Sequence, residues 1–179
     1  MTDSSRSSLA EITRFFDSGT SVGLRRAREW MASDDDEVLG AVYVALKEHA
    51  DRIDPRPDPI LIAELLLRIM RVSEVRPGPR EFGLSPYDAA SCLLDEALAW
   101  NAQKNDNPSA DDWLSSLRAR LAAEYQSADE RLRRRIVDGF LEHAFETPSL
   151  RSVFGSWQHA PTLAQAYSEA AQWADSRDA

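Results

Sequence analysis

The sequence predicts an all-α fold: a single-domain multi-helix bundle of eight or nine helices, with a short α-solenoid of helical hairpins as the alternative. Three observations carry this. Apolar residues recur at steps of three and four along the whole chain. Capping residues and prolines punctuate those stretches at helix-length intervals. The alternating β-branched runs that a sheet needs are missing. A length of 179 residues suits one domain with a real core. Short turns favour antiparallel neighbours, and no fixed-length residue pattern repeats.

Residues 1–7 read as a flexible Ser-rich leader. Ser8 and Glu11 then have the form of a capping box for a helix through Phe16, closed by Gly19. A second helix, about Ser21 to Ala32, turns Leu24, Ala27 and Met31 inward and Arg25, Arg26 and Arg28 outward. Arg25 and Glu29 are spaced for a surface pair. Ser33 with Asp34, Asp35, Asp36 and Glu37 supplies a cap and a negative first turn for a helix to about Ala50. Val38, Val42, Ala45, Leu46 and Ile53 mark its buried side.

Ile60 to Val75 is apolar almost all round, with Glu64, Arg68 and Arg71 as its polar stripe, so this helix is placed centrally. Glu64 and Arg68 are spaced to pair. The loop RPGPREFGL, Arg76 to Leu84, offers Arg76, Arg80 and Phe82 as functional candidates, unless Phe82 simply plugs the loop onto the core. Pro86 to about Gln103 follows, with Tyr87, Ala90, Leu94, Ala97 and Leu98 inward. Cys92, the single cysteine, lies near carboxylates that disfavour its thiolate. Pro108 or Ser109 opens a helix to about Tyr125 on Trp113, Leu114, Leu117 and Leu121. The last helix runs from Pro161 to about Asp175.

The stretch RLRRRIVDGFLEHAFETPSLRSVFGSW, Arg131 to Trp157, is the most informative. Ser127 and Glu130 form an apparent capping box, and Leu132, Ile136, Val137, Phe140, Leu141, Ala144 and Phe145 make one apolar face. Asp138, Glu142 and Glu146 form a column opposite. The charges oppose the helix macrodipole: arginines crowd its positive end and glutamates its negative end. Compensation from a neighbouring helix, or from a partner, is therefore expected.

With 21 basic and 30 acidic residues the formal charge is −9, which disfavours nucleic acid and suits a basic protein partner. The N-terminus has no signal-peptide pattern and no apolar run is long enough to span a bilayer, so a cytoplasmic protein without membrane association is expected. No cofactor or metal is expected: His49, His143 and His159 are scattered, and no HExxH or glycine-rich phosphate loop occurs. His143 beside Glu142, with Arg135 and Asp138 nearby, is the one general-base arrangement to consider.

RRRIVDGFLEHAFETPSLRSVFGSWQHAPTLAQAYSEAAQWA, roughly Arg133 to Ala174, resembles small helical bacterial proteins of polymorphic-toxin and contact-dependent-inhibition immunity neighbourhoods. The likeness rests on aromatic spacing over a quarter of the chain. It implies a non-enzymatic protein that blocks a toxin domain, through Asp138, Glu142 and Glu146 or through Asp34, Asp35, Asp36 and Glu37. The alternatives are a helical scaffold or homo-oligomer using exposed Trp or Phe, and an enzyme with a site near His143.

Overall fold

The computed structural model describes residues 2–74 and 81–177, which contain nine helices. The chain divides into two compact units, Met1–Pro86 and Tyr87–Ala179.

The first unit holds α1 (Asp3–Ser18), α2 (Leu24–Met31), α3 (Asp36–Glu48) and α4 (Ile60–Val72). The Ser-rich leader is helical from Asp3, a correction to the expected start at Ser8. Thr2 caps the helix, its hydroxyl accepting from the Ser5 amide at 3.2 Å, and Asp3 suits the positive end. Gly19, at φ 67°, closes α1 as expected. On α2 the buried residues are Ala27 and Trp30, while Leu24 and Met31 are only half-buried. The Trp30 indole donates to Glu11 on α1 at 3.3 Å, which draws the ring inward.

Within the run 33–37 it is Asp35 that caps α3, accepting from the amides of Glu37 (3.1 Å) and Val38 (3.5 Å). α3 packs against α1, α2 and α4, and Val38, Leu39, Ala41, Val42, Ala45 and Leu46 are all buried. Each large buried side chain here contributes roughly 1.5–3 kcal/mol. α4 packs on α3 and is largely buried, with Leu61, Leu65, Leu66, Ile69 and Met70 inside, though it ends at Val72 and not Val75, and α3 is the helix that touches the other three.

Arg68, which the spacing pairs with Glu64, reaches across to the end of α2. It donates to the carbonyls of Ser33 (3.0 Å) and Ala32 (2.9 Å) and to the Asp34 carboxylate (2.8 Å). Arg52 does the same for the end of α1, donating to the carbonyls of Phe15 and Thr20 and lying over the Phe15 ring. A parallel ladder of two residues each, Val22–Gly23 with Ile53–Asp54, corrects the expectation of no strand; it is too short to leave a periodic signature. Phe82 is half-buried against Phe16, ring centroids 5.8 Å apart. Its carbonyl lies where a side chain on Gly40 would stand. Phe82 thus plugs its segment onto α3, while Arg76 and Arg80 lie outside the described residues.

The second unit holds α5 (Pro86–Ala102, whose first residue closes the preceding unit), α6 (Pro108–Ser127), α7, α8 (Pro148–Val153) and α9 (Ala164–Arg177). On α5 the buried stripe is Ala89, Ala90, Leu93 and Ala97, turned from the predicted one, and Tyr87 is 49% exposed. Asn107 caps α6 through the Ser109 amide, and Trp113, Leu114, Leu117 and Leu121 are buried as their spacing requires.

α7 runs as Glu130–Ile136, a π-helical turn Val137–Leu141, and Glu142–Phe145. Asp129 caps it, accepting from the Leu132 amide at 2.8 Å; Ser127, the expected cap, ends α6 instead. All seven residues of the predicted apolar face are buried. Their spacing explains the π turn. Within the row 132, 136, 140 and 144, and within the row 137, 141 and 145, successive residues stand four apart. In a straight α-helix each such step drifts by about 40°. The wider turn removes drift and keeps both rows on the core. Within it, Gly139 lies against α5, where an added Cβ would come 2.9 Å from that of Ala90.

Phe154 is the hub of the unit's aromatic core, with ring centroids 6.1 Å from Phe140, 5.9 Å from Phe145 and 5.4 Å from Trp157. α9 starts at Ala164, after a turn that contains Pro161, the predicted first helical residue.

Candidate protein-binding surface

The arginine-rich start of α7 serves its neighbour. Arg133 donates to the carbonyls of Tyr125 (3.1 Å) and Gln126 (3.5 Å), the open end of α6, and lies over the Tyr125 ring at 5.4 Å. A charge misplaced on its own macrodipole is well placed on the next one. Arg135 is buried, and Arg134 stands 4.0 Å from Glu130.

The acidic column divides. Glu146 accepts from His143 Nδ1 at 3.1 Å and lies 3.6 Å from Arg177, which itself stacks over Trp173. α9 therefore neutralises the glutamate that the sequence left uncompensated. His143 turns to Glu146 instead of Glu142, and its ring meets that of Trp173 edge-on with centroids 4.8 Å apart.

Asp138 is exposed and Glu142 half-buried. Burial, and then the adjacent Asp138 charge, push the Glu142 carboxyl above its ordinary range; Glu169 of α9 adds to this, and His143 opposes it. Glu169 also faces a cleft of about 390 Å³ with Tyr125, Glu130, Arg133, Arg134 and Asp138. Burial and Glu169 together raise the Tyr125 phenol. Carboxylates from two helices thus converge on one opening. Glu169, on a helix 31 positions beyond Asp138, gave no sequence signal of this.

A raised carboxyl favours the folded state while protonated and penalises it as pH rises through the folded pKa. Glu142→Gln is accordingly expected to raise stability at neutral pH, the gain vanishing as pH falls to the ordinary carboxylate range. Urea denaturation at the two pH values measures this, and a gain that grows in acid would contradict the assignment.

The run 34–37 is used by the fold only in part: the Asp34 side chain is 87% exposed, and Asp34, Asp35 and Asp36 line a pocket of about 360 Å³ beside the start of α1. Asp35 caps α3, Asp36 is buried, Asp34 pairs with Arg68, and Glu37 is half-buried in the first turn. On α2, Arg25 pairs with Glu29 at 3.6 Å as expected, and Arg26 bridges Glu11 and Glu29. No tryptophan or phenylalanine is exposed among the described residues, which corrects the aromatic-anchor expectation; Tyr87 is the exposed large apolar side chain among them. Among the described residues no group of three His, Cys, Asp or Glu is placed to hold a metal, and no helix is long and apolar enough to cross a membrane. Comparison with family models, curated proteins and solved structures returns no match for this chain.

Proposed function

We propose that this chain is a non-enzymatic protein-binding domain of the immunity or inhibitor type, which holds a basic partner against the acidic opening between α7 and α9. The observation that carries the reading is the approach of Asp138 on α7 and Glu169 on α9 to one cleft, with Glu142 held above its ordinary range first by burial and then by these two charges. A lysine or arginine from a partner would offset those charges, and the −9 formal charge would speed the encounter. The immunity-type resemblance over Arg133–Ala174 supports a basic toxin domain as the partner class.

The test is affinity capture with wild type and with Asp138→Lys/Glu142→Lys, at low and high salt, with circular dichroism confirming that the variant is folded. The wild type should retain a basic protein that salt releases, and the double reversal should weaken retention on the order of tenfold or more. Equal retention by both forms would remove this face as the binding site.

A further inference from the structure

We infer that the outward face of α1 recognises itself: two copies of this chain pair through antiparallel α1 helices. The inference rests on the first unit alone and is independent of the acidic opening. α1 buries Ile12 and Phe15 on one side. On the other, Arg6, Leu9, Ala10, Thr13, Arg14 and Asp17 line a shallow, mainly apolar groove of about 540 Å³. Arg6, Ala10, Thr13 and Asp17 follow steps of four, three and four, so they form one stripe.

The layout is symmetric in position, with opposite charges at its two ends. Arg6 and Asp17 lie equally far from the point between Glu11 and Ile12, as do Ala10 and Thr13, and Leu9 and Arg14. A two-fold axis there sets Arg6 of each copy against Asp17 of the other. It also lays the aliphatic stem of Arg14 over Leu9 and brings Ala10 to Thr13, small enough for close helix approach. A parallel pairing would oppose like charges.

The macrodipole gives the same answer. Arg6 lies in the first turns of α1 and Asp17 in the last, each at the end that disfavours it. In the antiparallel pair each charge stands beside the opposite end of the partner helix. A partner of one net sign would suit only half of this face; a second copy suits all of it. The patch is small, so association should depend on concentration.

Sedimentation equilibrium of the full chain at low salt, from micromolar to millimolar, tests this. The average mass should rise from 20.1 kDa toward twice that value. Arg6→Glu and Asp17→Arg should each weaken association about tenfold or more, and the Arg6→Glu/Asp17→Arg double variant should restore it. Both positions are exposed, and each change improves the helix's own dipole, which offsets the loss of the surface pair between Arg6 and Asp3 at 3.7 Å, so far-UV circular dichroism should stay unchanged. A 20.1 kDa species throughout would overturn the proposal. So would a dimer indifferent to the single reversals, or a double variant that fails to recover.

Discussion

Gly40→Ala is expected to destabilise the protein by about 3 kcal/mol, the upper part of the usual range for overpacking. In an ordinary helix interior the same change gains up to about 1 kcal/mol from propensity. Here the new Cβ would fall 1.6 Å from the Phe82 carbonyl oxygen and 2.7 Å from its carbon. Those are main-chain atoms, so no side chain can rotate away; residue 82 must lift from α3. The loss outweighs the propensity gain. In thermal unfolding the melting temperature should fall by roughly 6–12 °C for a chain of this length. Gly155→Ala is the control, since nothing lies within 4 Å of its added Cβ. A Gly40→Ala protein as stable as the control would mean that Phe82 does not pack on α3.

Phe154→Ala should cost about 3–5 kcal/mol, the range for deleting a fully buried ring. Phe154 touches three other aromatic rings and is wholly buried, so truncation removes contact area and leaves a cavity bounded by rigid groups. Phe154→Leu should cost less than half as much, because most of the volume remains. Denaturant midpoints separate the two variants, and near-UV circular dichroism should lose intensity in the alanine form. A cost below about 1 kcal/mol would show that the rings do not share a core.

Much of this was legible where hydrophobicity and shape agree. Trp113, Leu114, Leu117 and Leu121 on α6, and the seven-residue face of α7, are large side chains on polar-backed helices, so periodicity alone orients them. On α5 the expected Ala90 and Ala97 are buried, but DAASCLLDEALAW has apolar residues on every side, so periodicity cannot choose Ala89 and Leu93 over Leu94 and Leu98. The cap of α3 lies within the run that the sequence marks, but four residues in succession there can cap and no local rule chooses among them. Thr2 was missed because Ser8 with Glu11 imitates a helix start inside a helix already formed. At the candidate site, Asp138 and Glu142 were readable from spacing on one helix. The approach of Glu169, and the neutralisation of Glu146 by Arg177, depend on how α9 lies against α7. Spacing cannot report that.

The turn at Val137–Leu141 gives α7 one residue more than its span requires. Shortening a buried helix ordinarily swings everything beyond the cut by about 100° and carries its apolar rows into solvent. Here the surplus is already wound into the wide turn, and losing it would return the helix to regular winding with Leu132 and Ile136 on one side, and Ala144 and Phe145 on the other, still facing inward. Chain length is therefore the one variable to which this otherwise tightly specified segment is forgiving.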